Sequence, residues 1–183
     1  MTNYESKTRK TKMCFPSPFA KQEDEGLPLI RNSSFVIRNC LEIRDFSKDD
    51  IDDIISIEEQ SFKKPWTKDM LMSSALNEKV SFKVALEGDK IAAFCIYLTI
   101  EGETEILNIA VHPDFRRRSI ARTMLEYMEN DAGKEKSKNI FLEVRESNGA
   151  AQNLYLSLGF EKIGIRKKYY TDEDAILLRK IIK

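Results

Sequence analysis

The 183-residue chain has one histidine, three cysteines and no excess charge of either sign. A single His112 leaves one candidate for a histidine-centred triad and none for a multi-histidine metal site. Cys14, Cys40 and Cys95 are too few and too scattered for a disulfide framework or a C-x-x-C metal site; they read as free thiols in a reducing interior. Lys plus Arg and Asp plus Glu number 30 each, so no global field draws the chain to nucleic acid or anionic lipid. No apolar run approaches the ~18 residues of a membrane span. Residues 1–12 are polar and lack the apolar centre of a signal peptide, which makes the cytoplasm the expected location. What is present, 42% apolar and 33% charged residues, suits one soluble domain with a real core.

Residues 1–34, "MTNYESKTRKTKMCFPSPFAKQEDEGLPLIRNSS", mix basic, proline-containing and acidic pieces without periodicity. They read as a mostly disordered extension, with 15–19 and 27–30 as candidate docking segments. A single domain is expected over 35–183. "SFVIRNCLEIRDF" suggests a strand, after which Ser47 and Asp50 open a helix through Ile51, Ile54, Ile55 and Ile57. "SFKKPWTKDML" is a loop in which Thr67 caps a second helix through Leu71 and Leu76. "SFKVALEGDKIAAFCIYLTIEGETEILNIAVHP" supplies three strands, with "EGDK" and "EGET" as turns. A helix over 119–131, a strand "NIFLEVRE", a helix "NGAAQNLYLSLGF" and strands around "EKIGIRKKYY" and "DAILLRKII" complete the order. This succession predicts an α+β (α/β) domain, a mixed central sheet flanked by helices. Its ligand edge falls where the strand ending at Val111 meets the next helix.

The stretch "HPDFRRRSIARTML" is electrostatically odd. Ile120, Met124, Leu125 and Met128 recur at helical spacing, yet Arg116, Arg117, Arg118 and Arg122 gather at a helix start, where acids are favoured. Unpaired N–H groups are expected on Arg118, Ser119, Ile120 and Ala121. With the guanidinium groups they would form a receptor for phosphate or pyrophosphate. A solvated basic turn, at ~0.3–1 kcal/mol per misplaced charge, accounts for the charges equally well. Small Ser119 and Ala121 favour the anion site, because they let a ligand approach the backbone while Ile120 anchors the helix.

"NIAVHPDFRRRSIARTML" resembles the acetyl-CoA-binding segment of GNAT-superfamily N-acetyltransferases, whose signature is Gln/Arg-x-x-Gly-x-Gly/Ala; here it reads Arg116-Arg117-Arg118-Ser119-Ile120-Ala121. "FLEVRESNGAAQNLYLSLGF" resembles the family's second conserved block. "KKPW" and "KKYYTDEDAILL" resemble RimI-type protein N-alpha-acetyltransferases, bacterial and archaeal. The resemblance covers about 41–182. It implies the GNAT fold, acetyl-CoA bound at a strand splay, no metal, and acetyl transfer to a protein N-terminal alpha-amine, such as a ribosomal protein's. Transfer would be by direct attack in a ternary complex, and no Ser or Cys sits beside a histidine base to form an acyl-enzyme. Two alternatives stand beside this: a small-molecule amine acetyltransferase of the same fold, and a non-catalytic acetyl-CoA-binding module. Ser119 departs from the signature glycine. Its hydroxyl could cap the helix or reach a phosphate, and a left-handed backbone there costs on the order of 1 kcal/mol. Binding is expected to survive, several-fold weaker.

Alternation puts Phe141, Glu143 and Arg145 on one strand face and Ile140, Leu142 and Val144 on the other. Spacing leaves Glu143 open between a solvated glutamate and a base; the resemblance implies a general base, acting directly or through water. Tyr155 falls on an apolar stripe with Ala151, Leu154 and Leu158, a core position whose hydroxyl the resemblance assigns to the departing sulfur. Asn148, as a helix N-cap, is expected on both the backbone and the pantetheine arm. The resemblance further implies cofactor contacts at Ile109, Ala110 and Val111 and along Arg116, Arg117, Arg118, Ser119, Ile120, Ala121 and Arg122. His112 reads as a turn residue. On the acceptor side, loops carrying Lys63-Lys64-Pro65-Trp66 and Tyr169-Tyr170 would flank a peptide, in a monomer or weak dimer.

Overall fold

The computed structural model describes residues 11–12 and 41–182. Cys14, Cys40, the start of the expected first strand and nearly all of the expected extension lie outside the described residues. Strands are β1 (Thr11–Lys12), β2 (Leu41–Asp45), β3 (Val80–Glu87), β4 (Lys90–Ile100), β5 (Glu103–Val111), β6 (Asn139–Arg145), β7 (Glu161–Arg166) and β8 (Ala175–Ile181). Helices are α1 (Ile51–Ser61), α2 (Lys68–Leu76), α3 (Ile120–Lys134) and α4 (Gly149–Ser157). The sheet order is β1-β2-β3-β4-β5-β6-β8-β7, antiparallel except for the parallel β5–β6 pair. This is the expected mixed α+β sheet.

Local chemistry sets the boundaries. The Asp50 carboxylate accepts the Ser47 N–H at 2.7 Å and is gripped by both terminal nitrogens of Arg44, which opens α1 where Ser47 and Asp50 predict. Thr67 Oγ1 accepts the Met70 N–H at 3.3 Å to cap α2. The β4–β5 turn places Glu101 and Gly102 at φ 50° and 84°, the left-handed pair that the twist of a two-residue hairpin favours. Boundaries shift at three elements. α1 continues past Ile57 to Ser61, α3 starts at Ile120 and runs to Lys134, and β7 stops at Arg166, which leaves Tyr169 and Tyr170 on a loop as expected of them.

Each sheet face buries a separate cluster. Ile120, Met124, Leu125 and Met128 of α3 and Tyr155 of α4 pack with Ile106, Ile140, Leu142 and Val144 on one face. Ile51, Ile54 and Ile57 of α1 and Leu71 of α2 pack with Phe82, Val84, Phe94, Ile96 and Ala110 on the other. Fully burying such a side chain contributes roughly 1.5–3 kcal/mol, so α1 and α3 are held mainly by their stripes, whereas α2 and α4 bury one residue each, Leu71 and Tyr155.

Two irregularities position the site. β4 pairs Ile96 with Asn108 and Tyr97 with Ile106, so Leu107 is an extra residue in β5, a bulge. The bulge resets the alternation: Ile106 joins the α3/α4 cluster, whereas Leu107 and Ala110 join the α1/α2 cluster. Secondly, β5 and β6 pair only from Glu103↔Asn139 to Ile106↔Leu142. Beyond Ile106, β5 stays with β4 as far as Val111, and β6 stays with β8 as far as Arg145. The sheet therefore parts between them.

Candidate active site

The parting opens a cleft of about 620 Å³. Glu58, Trp66, Leu107, Asn108, Ile109, Glu143, Arg145, Asn148, Tyr155, Tyr169 and Tyr170 stand among its walls. It thus gathers the expected Glu143, Tyr155, Asn148, Ile109, Trp66, Tyr169 and Tyr170 around one space. Ala110, Val111 and residues 116–122 are not part of that wall; they follow it in the chain.

Glu143 is one residue past the last β5–β6 pair, on the face opposite buried Leu142 and Val144. Arg166 Nη1 donates to its Oε1 at 2.7 Å. Burial raises the Glu143 carboxyl above its ordinary range; the Arg166 cation and the Tyr169 hydroxyl pull it down, and the Glu105 carboxylate pushes it up. The outcome is a half-buried carboxylate whose proton affinity is higher than usual. Tyr170 rests under the Arg145 guanidinium, 4.2 Å from ring centroid to Cζ, and donates its hydroxyl to the Glu143 carbonyl oxygen at 3.3 Å. Arg145 is held by Asp172 and Glu173 at 2.9 and 2.5 Å. The loop before α2 reaches this wall through Lys63–Asp172 and Lys64–Thr171 contacts of 3.4 Å.

Tyr155 approaches from the other sheet face. It is 7% exposed, sits edge-on to Phe160 at 5.6 Å, and burial pushes its phenol well above the ordinary value. Asn148 Oδ1 accepts the Ala151 N–H at 3.1 Å, the expected N-cap of α4.

At the start of α3, Ser119 is left-handed at φ 62°, as is Arg117 at φ 65°. The Thr123 N–H makes the first helical bond, to the Ser119 carbonyl at 3.0 Å. The four donors without intrahelical partners are therefore those of Ser119, Ile120, Ala121 and Arg122, which keeps the expected Ser119, Ile120 and Ala121 and adds Arg122. The Ser119 hydroxyl makes no cap bond, which corrects the expectation that it might. The arginines are less free than their sequence suggests. Arg116 bonds the Val111 carbonyl and Ser61 Oγ, Arg118 bonds Glu87 and the Asp114 carbonyl, and Arg122 bonds Ser157 Oγ. Arg117 has no such bond among the described residues. These guanidinium groups tie the start of α3 and the loop before it to β5, β3, α1 and α4. His112 accepts the Asp114 N–H through Nδ1 and is a turn residue, as read. Among the described residues no group of three or more His, Cys, Asp or Glu side chains could hold a metal, and no helix is long and apolar enough to cross a membrane.

Glu58 and Asn108 escaped the sequence reading. Glu58 is 0% exposed; its Oε2 accepts the Trp66 backbone N–H at 3.1 Å, and its Oε1 accepts Asn108 Nδ2. The signal was there: Ile51, Ile54, Ile55 and Glu58 fall at i, i+3, i+4 and i+7, so a carboxylate completes an apolar stripe.

A carboxylate of raised proton affinity on one sheet face, a buried phenol on the other and a helix start with unpaired N–H groups beyond them make up the site. Residues 51–160 match the acetyltransferase (GNAT) family, and the chain belongs to it; it is an acetyl-CoA-dependent N-acetyltransferase. The chain is 38% identical over 126 residues to the ribosomal protein bS18-alanine N-acetyltransferase of Escherichia coli (strain K12), covering 67% of this chain and 84% of that one. It is 34% identical over 139 residues to the Bacillus subtilis (strain 168) protein provisionally given the same name, covering 74% and 92%. The crystal structure of the ribosomal-protein-S18-alanine N-acetyltransferase from Escherichia coli superposes with a TM-score of 0.73 at 34% identity, over 78% of this chain and 94% of that one.

Proposed function

We propose that the chain acetylates the N-terminal alpha-amine of a protein, with an alanine-starting ribosomal protein of the bS18 type as the acceptor its relatives point to. The observation that carries this reading is the placement of Glu143 and Tyr155 on opposite faces of one parted sheet, with the aromatic Trp66, Tyr169 and Tyr170 on the Glu143 side. The α3 side receives acetyl-CoA. N–H groups of Ile120, Ala121 and Arg122 suit its diphosphate, and Asn148 and the β5 backbone along Ile109, Ala110 and Val111, unpaired toward β6, suit its pantetheine arm. Acetyl-CoA supplies a thioester whose carbonyl carbon the amine attacks directly.

Glu143, with its raised proton affinity, takes the proton of an alpha-ammonium of reference pKa ~8. As the N–C bond forms and the C–S bond breaks, Tyr155 delivers its proton to the sulfur, and the second proton of the acylated nitrogen returns through water to the Tyr155 oxygen, while Glu143 gives the first to solvent. A high phenol pKa is no obstacle, because the burial that disfavours a phenolate disfavours a thiolate in the same place. The same reading takes 35–183 as the catalytic domain, acting in the cytoplasm as a monomer or weak dimer, without metal, membrane or nucleic acid. The test is thiol release from acetyl-CoA across a panel of N-terminal peptides and small amines. Alanine-starting peptides are expected to lead, and Glu143→Gln to lower their turnover by ~10²-fold with cofactor affinity unchanged. Preference for a polyamine over every peptide would overturn the acceptor assignment, and full turnover in Glu143→Gln would remove the base.

A further inference from the structure

Glu58 has no part in the chemistry above, yet it is a fully buried carboxylate in the wall of the cleft. It binds the loop bearing Trp66 on one oxygen and Asn108 on the other. Asn108 donates Nδ2 to Glu58 Oε1, and this bond and the Trp66 N–H favour the carboxylate against the upward push of its burial. That fixes the amide: Oδ1 is turned away from Glu58, and no donor among the described residues reaches it. Asn108 is 8% exposed, and that residual opening is to the cleft. The bulge at Leu107 places Asn108 on the α1 side of the sheet, the side Glu143 occupies, two residues past the last β5–β6 pair.

We propose that Asn108 is an acceptor-contact residue whose side-chain carbonyl oxygen takes an N–H of the incoming amine, and that Glu58 is the positioning residue that keeps this oxygen facing the cleft. The inference rests on the reading of Glu143 as base. When Glu143 has taken one proton, the amine retains two N–H bonds and one lone pair. Binding one N–H to Asn108 restricts the rotation of the amine and directs the lone pair to the thioester carbon.

Reversing the polarity of the pair tests this. In Glu58→Gln the new amide can keep the Trp66 bond and donate to Asn108, provided Asn108 rotates and turns its NH₂ into the cleft. Glu58→Gln is expected to lower kcat/KM for an alanine-starting peptide about tenfold, mainly through peptide KM, with unchanged calorimetric affinity for acetyl-CoA. Combining Glu58→Gln with Asn108→Asp restores both the bond and an acceptor oxygen in the cleft, and is expected to recover most of the loss. Asn108→Ser, which can still donate to Glu58 but has no carbonyl, covers the case in which Glu58→Gln does not fold; a wild-type peptide KM there overturns the proposal. So does a Glu58→Gln enzyme within twofold of wild type, or a double variant no better than the single. Full turnover in Glu143→Gln would instead overturn the reading beneath it.

Discussion

Ser119 stands where glycine would be easiest, and its backbone is left-handed at φ 62°. A side chain there costs on the order of 1 kcal/mol, and with no cap bond from its hydroxyl nothing local offsets the strain. Ser119→Gly is accordingly expected to raise Tm by about 2–4 °C and to leave acetyl-CoA binding equal or tighter by calorimetry. Weaker binding would assign the hydroxyl to the ligand. Arg166 offers a second test. Its cation 2.7 Å from Glu143 opposes the upward push of burial, so its loss must raise the carboxyl's proton affinity further. A base works only when ionised. In Arg166→Met the acid limb of kcat/KM is expected to move to higher pH, with the alkaline side retained, while Arg166→Lys stays near wild type. An unmoved limb would detach Arg166 from Glu143. Glu143 itself was legible, because strict alternation in "IFLEVR" assigns its face. Arg166 was not, since pairing β7 with β8 and β8 with β6 is a long-range consequence of sheet order. Glu58 was missed because a stripe read by its isoleucines ends at Ile57.

At the scale of elements, the caps carry the boundaries. Asn148 holds the first turn of α4, the helix that presents Tyr155 to the cleft. Asn148→Ala is expected to cost about 1 kcal/mol and lower Tm by about 2–4 °C in thermal unfolding, whereas Asn148→Asp, which keeps an acceptor, is expected to hold near wild type. Equal loss in both would show that the cap does not set the stability of α4. Caps of this kind were readable from Thr67 and Asn148 because their chemistry is local. The bulge in β5 was not. "ILNIAV" is apolar in both phases of the alternation except at Asn108, so the sequence alone does not register a skipped residue.

For the whole molecule, the decisive feature is a sheet in two parts that share only four parallel pairs, Glu103↔Asn139 to Ile106↔Leu142. A core on each face holds both parts, so the gap between them persists and connects an α3/α4 side with an α1 side. The α+β class followed from the order of elements. The parting was expected only through the family resemblance, which implies a strand splay; the order of elements does not reveal it, because strands buried on both faces look alike whether paired or diverged. In the proposed reaction the two substrates meet through that gap. The most direct measurement is a crystal structure of the complex with coenzyme A. The diphosphate should lie on the N–H groups of Ile120, Ala121 and Arg122, with the sulfur in the gap beside Tyr155. A diphosphate bound elsewhere, or a sulfur that does not enter between β5 and β6, would contradict the account.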